Sequence, residues 1–306
     1  MSGSHGGHSH APSANADRRY LGGALALLVA YMAAEVIVAF ATGSLALLSD
    51  AAHMLTDAAS IALALWAIYL AAKPATGSWT YGLKRAEILS GLGNGVTLLL
   101  LGAVLLVEAI RRLLDPPNVE PGPVLAVALA GVAVNIAAAA LIAKANRSSL
   151  NVEGAYKHIV TDLYGFIGTA IAAGIIMATG WNRADTVATL IVVILMFHAG
   201  WGLVADAGRV LLEAAPVGTD LATMKAHLLE LDHVLDVHDL HVWSVTSDTP
   251  ALSAHLVLDD ECFTDSHAPQ ILDQALGCIH GHFDVEHSTF QLEPASHADH
   301  ETGMHA

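Results

Sequence analysis

The chain reads as an all-α six-helix transmembrane domain followed by a small α+β domain of αββαβ order, and three observations predict this. Hydrophobic residues make up 54% of 306 and charged residues only 14%, with a mean hydropathy of +0.54, the composition of a membrane chain. Six apolar segments follow one another, at about 20–42, 45–72, 86–110, 122–143, 156–178 and 184–206, each near the roughly 20 residues that a spanning helix needs. Charge then divides the chain: twelve acidic and twelve Lys/Arg residues lie up to Leu212, but seventeen acidic residues and only Lys225 beyond it, so the net charge of −16 belongs to the last part.

The elements follow in order. Residues 1–19 are polar, small and His-bearing without apolar period, and are expected to be disordered. Arg18 and Arg19 precede the first apolar segment as in a secretory signal, but its length and the embedded Glu35 favour an anchored span. Pro and Gly punctuate the gaps, at Lys73-Pro74, Pro116-Pro117, Pro121-Gly122-Pro123 and Gly180-Trp181, and the transmembrane domain is placed at 20–212. With the amino terminus inside, the inner flanks carry Arg18, Arg19, Lys73, Lys84, Arg85, Lys144, Arg147, Lys157 and Arg209, and the outer flanks only Arg111, Arg112 and Arg183. That asymmetry puts both termini in the cytoplasm. In the α+β domain, 213–294, a helix is expected at about 217–231 from Leu221, Met224, Leu228 and Leu231. Two extended runs, Val234 to Val245 and Ala251 to Leu258, flank a turn at Ser247-Asp248-Thr249-Pro250; a helix from Asp265 to His280 and a strand from Glu286 to Glu293 complete it. The tail 295–306 is expected to be disordered.

Two words inside the apolar stretches carry chemistry, His53-x-x-x-Asp57 and His158-x-x-x-Asp162. Positions i and i+4 share a helix face, so each word points an imidazole and a carboxylate the same way. Two such faces meeting make a two-nitrogen, two-oxygen set that suits tetrahedral Zn²⁺, with Co²⁺ or Cd²⁺ as alternatives, and suits Mg²⁺ or Ca²⁺ poorly. An intramembrane His or Asp can instead hydrogen-bond a neighbouring helix. Against that, an ionised side chain near the bilayer centre costs about 2.5 to 3.5 kcal/mol on insertion scales, and here the pair occurs twice. Asp50, one turn before His53, reads equally as a hydrogen-bond partner behind the ligands, a carboxylate at the mouth of the pathway, or a group that hydrates a cavity. Glu35, Glu108 and Asn135 are lone polar residues in their spans, expected to make interhelical hydrogen bonds. Acidity of the second domain argues against nucleic acid or anionic lipid as its partner and fits attraction of cations. Cys262 and Cys278 form no C-x-x-C word and are expected as free thiols.

The run Ser44-Leu-Ala-Leu-Leu-Ser-Asp-Ala-Ala-His-Met-Leu-Thr-Asp57, Arg85-Ala-Glu-Ile88, Asn151-Val-Glu-Gly-Ala-Tyr-Lys-His158 with Asp162, and His238-Asp-Leu-His-Val-Trp-Ser244 together resemble the cation diffusion facilitator family in its zinc-transporting branch, from about residue 20 to 294. The resemblance implies a homodimeric divalent-metal/proton antiporter in the lipid bilayer, six spans per protomer, with a ferredoxin-like, metallochaperone-like cytoplasmic domain. It implies His53, Asp57, His158 and Asp162 as transport ligands, and points to cytoplasmic metal at His238 and His255 on neighbouring strands, His267 at the second helix and Glu293 at the last strand. Strand alternation puts His241 on the face opposite His238, so the two are not expected in one site.

Charge balance gives the expected mechanism. Two carboxylates with neutral imidazoles carry −2 where hydration is poor, a state relieved by Zn²⁺ or by protons, so the two compete. A site open alternately to the two faces would load Zn²⁺ from the cytoplasm and lose it to incoming H⁺. The expected location is a bacterial plasma membrane. The rival reading is a membrane-bound metal sensor that binds without transport. A metallohydrolase would need an HExxH-type helix, which the sequence lacks, and a channel would not hold its ion with four strong ligands.

Overall fold

The computed structural model describes residues 14–42, 45–115, 120–283, 285 and 287–300; within these, the side chains of 14–16, 38–53, 56 and 298–300 lie outside the description. The chain forms two compact units, Met1–Ala207 and Gly208–Ala306.

The first unit holds six long helices: α1 Ala14–Thr42, α2 Leu45–Ala71, α3 Ala86–Leu114, α4 Pro121–Ile142, α5 Leu150–Thr179 and α6 Arg183–Leu211. Among the described residues, α1, α3, α4, α5 and α6 are long and apolar enough to cross a membrane, and the described side-chain run of α2, Asp57–Ala71, is a shorter apolar stretch. The helices outrun the apolar segments at most ends, because polar residues continue the backbone pattern where tertiary partners exist. Thus α1 starts inside the stretch expected to be disordered: Asp17 Oδ1 accepts a hydrogen bond from the Asn146 backbone N–H at 2.8 Å, and Arg18 Nη2 donates to Ile68 O at 3.3 Å. Likewise α5 starts at Leu150, ahead of the apolar segment expected from about 156. Gly180, at φ 70°, ends α5 in the left-handed conformation that glycine adopts without a Cβ clash.

Leu21, Ala24 and Leu28 of α1, Met54, Ile61 and Ala64 of α2, Ala138 and Ile142 of α4, and Val152, Ala155 and Ile159 of α5 form the main core of this unit. Small residues let α3 and α6 approach: a Cβ on Gly200 would lie 2.9 Å from Gly95 O, and one on Gly95 2.9 Å from Leu203 Cβ. Between α2 and α5 one buried polar contact stands out. Asn151 Nδ2 donates to Ala64 O at 2.8 Å.

Two of the three lone polar residues bond within their own helices rather than across to a neighbour. Asn135 Nδ2 donates to Gly131 O of its own helix at 3.0 Å, and Glu108 accepts from Arg112 Nε one turn on at 2.9 Å. Local i, i+4 partners were nearer than any neighbouring helix. Glu35 is buried, at 6% exposure.

The second unit runs α7 Leu221–Leu229, β1 Val234–Thr246, β2 Thr249–Leu258, α8 Glu261–Thr264, α9 Ala268–Phe283 and β3 His287–Pro294. The sheet order is β1-β2-β3, with β1 antiparallel and β3 parallel to β2. The αββαβ order holds, with the one-turn α8 added; the hairpin is tighter than expected, since Thr249 and Pro250 already belong to β2. Asp220 caps α7 by accepting from the backbone N–H groups of Ala222 and Thr223. Met224 and Leu228 of α7, Ile271, Ala275 and Ile279 of α9, and Leu252, Ala254, Leu256 and Leu258 of β2 form the core. Both helices therefore cover one sheet face, and alternate residues such as Ser253 and His255 lie on the other. Residues Ala295–His300 form a 3-10 turn rather than a disordered tail, tied by the Ser296 N–H to Asp260 Oδ1 at 3.1 Å.

Two outcomes follow. Asn151→Ala removes one buried interhelical hydrogen bond and is expected to lower the stability of the solubilised protein by about 0.5 to 1.5 kcal/mol, read from denaturant unfolding in micelles. The Thr223 hydroxyl and the helix N–H groups hold the Asp220 carboxyl below its ordinary value. A depressed carboxyl stabilises the fold above its unfolded pKa and loses that contribution as pH falls through the folded one, so Asp220→Ala should lower the melting temperature of the second unit at neutral pH and lose its effect in acid.

Candidate metal centre

The face of α2 that carries Asp57 meets the face of α5 that carries His158 and Asp162. His158 is 1% exposed and Asp57 9%. His158 Nε2 and Asp57 Oδ1 are hydrogen-bonded at 3.0 Å, and the same nitrogen lies 3.8 Å from Asp162 Oδ2. All three ligand atoms fall within 4.8 Å of one another. Tetrahedral Zn²⁺ with bonds of about 2.0 to 2.2 Å needs donors roughly 3.3 to 3.5 Å apart, which these separations bracket. His158 Nδ1 and Asp162 Oδ2 are buried without a hydrogen-bond partner among the described residues, although such groups are expensive to leave unpaired. The donor set therefore fits a borderline divalent cation. A hydrogen bond between an imidazole nitrogen and a carboxylate oxygen needs one proton between them, so the two atoms that would face a cation here share a proton instead.

His53 lies one turn before Asp57 in α2, and Asp50 just before that; the side chains of both lie outside the described residues. Of the four transport ligands predicted, three are thus brought together. The alignment has a structural cause. Asn151 precedes His158 by seven residues in α5 and Ala64 follows Asp57 by seven in α2, so the Asn151–Ala64 bond and the His158–Asp57 bond are two turns apart on the same antiparallel seam. This clamp was not weighed in the sequence, although Asn151 begins one of the quoted motifs.

A cavity of about 240 Å³ adjoins Asp57 and Asp162. Leu105, Phe166, Thr169 and Thr189 among others line it, on the parts of α3 and α5 toward their carboxyl ends and the part of α6 near its start. The space thus leads from the ligands toward the end of the helical unit where α5 turns into α6.

In the second unit, His238 and His255 are cross-strand partners of β1 and β2, with ring centroids 5.0 Å apart. His255 Nδ1 lies 2.7 Å and His238 Nε2 3.4 Å from the carboxylate of Glu293, which sits within β3 and is 3% exposed. Gln291 Nε2 donates to the same carboxylate at 2.6 Å. Asp239 can join the two imidazoles in a ligand group. His267 stands elsewhere: its Nδ1 is 2.7 Å from Asp265, and its ring stacks on His233, which pairs with Asp259 at 3.3 Å. The expectation for His241 is corrected. Asp239 takes φ 48° in a β-bulge, and His238 and His241 pair with His255 and Ser253, two residues apart on β2. The extra residue restores the phase, so both histidines lie on one sheet face.

Ligands of this chemistry, set inside helices of membrane length and beside a cavity among them, serve the passage of a cation, and the class of protein is a membrane metal-cation transporter. Comparison with known proteins agrees. Residues 23–212 match the cation efflux transmembrane domain and residues 216–295 the cation efflux protein cytoplasmic domain. The chain belongs to this cation efflux family, the cation diffusion facilitators, and is a transporter, not an enzyme. It is 38% identical to the cadmium, cobalt and zinc/H(+)-K(+) antiporter of Bacillus velezensis, over 95% of this chain and 93% of that one. It is also 38% identical to the metal cation efflux system protein CzcD of Cupriavidus metallidurans, over 96% and 92%, and 37% identical to the zinc transporter ZitB of Escherichia coli, over 93% and 90%.

Because the proton shared by His158 and Asp57 must leave before both can ligate, Zn²⁺ affinity is expected to weaken by about tenfold per pH unit for each proton displaced as pH falls. Calorimetric titration of the solubilised protein at several pH values measures this slope, and His158→Gln should reduce it by about one proton.

Proposed function

We propose that this protein exports Zn²⁺ from the cytoplasm of a bacterium in exchange for H⁺, with His53, Asp57, His158 and Asp162 as the alternating ligands of cation and proton. The observation that carries this reading is the buried trio of Asp57, His158 and Asp162, whose spacing suits Zn²⁺ and whose Asp57–His158 hydrogen bond holds one proton between them. Cd²⁺ and Co²⁺ share the ligand preferences, and the names of the relatives include all three metals.

The protonated arrangement next to a cavity leading toward the α5–α6 turn supports an assignment of states. With both termini cytoplasmic, as the Lys/Arg asymmetry favours, that turn faces outside. The described geometry then corresponds to the outward-open, proton-loaded form reached after Zn²⁺ has left. Two protomers associate through the second unit in this reading, within the plasma membrane. The acidic second unit concentrates cations, and His238, His255 and Glu293 bind one there as a regulatory site. His267 belongs with Asp265 and His233 as a separate, weaker position.

Proteoliposomes with an internal zinc-sensitive dye and an imposed pH gradient test the reading. Zinc flux should follow the gradient, and Asp57→Asn or Asp162→Asn should reduce it more than the roughly 10- to 100-fold typical of losing a partner behind a ligand. A metal sensor that binds without transport would give no gradient-dependent flux with zinc affinity intact.

A further inference from the structure

We propose that His227, Cys278 and His282 form a second, thiolate-containing metal site in the α+β unit, on the helical side of the sheet and separate from the His238–His255–Glu293 cluster. His227 lies in the last turn of α7, and Cys278 and His282 lie one turn apart on α9. One ligand atom from each falls within 4.8 Å of the others. The His227 and His282 rings stand edge to face with centroids 5.0 Å apart, and Phe283 packs against His227 at 5.3 Å, giving the group an apolar flank.

Orientation of His282 argues beyond proximity. Its Nδ1–H donates to the Cys278 carbonyl at 3.1 Å, which fixes the tautomer and leaves Nε2 with the lone pair. Histidines that bind metals are held in this manner, by a carbonyl or carboxylate on the other ring nitrogen. A nitrogen–nitrogen–sulfur set selects Zn²⁺, Co²⁺ or Cd²⁺ over Mg²⁺ and Ca²⁺. Tetrahedral coordination needs nitrogen and sulfur roughly 3.5 Å apart, a contraction that side-chain rotation supplies because His282 is exposed and the other two are half-buried. The fourth position remains open to water. On binding, the Cys278 thiol gives its proton to solvent and the sulfur–metal bond takes its place, with no redox change. The bound ion would link α7 to α9, the two helices that cover the sheet core, whereas an ion at His238 and His255 would sit on the opposite face.

Co²⁺ titration of the full-length protein in detergent tests the proposal, because only a thiolate ligand gives the near-ultraviolet sulfur-to-cobalt charge-transfer band. The band should saturate at an intensity of one thiolate-bound Co²⁺ per chain whatever the other sites take up, vanish in Cys278→Ser and persist in Cys262→Ser, which alters the other thiol. His227→Ala and His282→Ala should each weaken the midpoint by at least roughly tenfold. His238→Ala with Glu293→Gln should leave the band unchanged. No band in the wild-type protein, or a band that survives Cys278→Ser, overturns the site; because the readout is spectral, neither result depends on whether the chain transports zinc.

Discussion

A carboxylate held among apolar helices must find compensation, and the structure answers this demand with the bond between Asp57 and His158. A charged group near the bilayer centre costs about 2.5 to 3.5 kcal/mol on insertion scales, so an unpartnered aspartate would weaken the very packing that surrounds it. Joining α2 to α5 through imidazole meets the cost only provisionally. The pair can neutralise its charge with a proton or give up that proton for a dication. Structure and exchange chemistry thus rest on the same atoms. The apolar core of α1, α2, α4 and α5 supplies the dry surroundings that make the alternatives compete, since in water neither proton nor metal would be needed to neutralise the pair.

Much of this was written in the sequence because helical period converts spacing into direction. Two words of His-x-x-x-Asp within apolar stretches predicted two converging faces, and the six helices followed from hydropathy alone. Long-range contacts did not follow. The apolar pattern begins only at about residue 156, yet the helix starts at Leu150 and the Asn151 amide finds a carbonyl of α2. The histidines of β1 were assigned to opposite faces by strict alternation, a rule that a single residue in the left-handed region cancels. Asn135 and Glu108 found partners within their own helices, where the bilayer argument had looked across to neighbours. The Cys278–His282 spacing was readable as one helix turn, but nothing in the linear order joins it to His227, about fifty residues earlier.

The second unit shows how an acidic domain keeps a fold while carrying so many like charges. Its apolar core lies on one face, under α7 and α9, and the deeply buried carboxylate among its described residues, Glu293, lies between two imidazoles and an amide. The remaining carboxylates stand mostly at exposed positions, where solvent and counterions screen them. Cation concentration near such a surface is raised without any individual site being strong.

The paired bonds on the α2–α5 seam restrict how the molecule can change shape. Slippage of one helix along the other by a single turn, about 5.4 Å, would break both attachments together and strand a carboxylate and an amide in a greasy interior. Pivoting keeps both. Rearrangement is therefore left to the surrounding helices, of which α3 and α6 meet at the close backbone approach of Gly95 and Gly200 beside the packed side chains of Leu98, Met196 and Leu203, while α2 and α5 travel as one stiff plank.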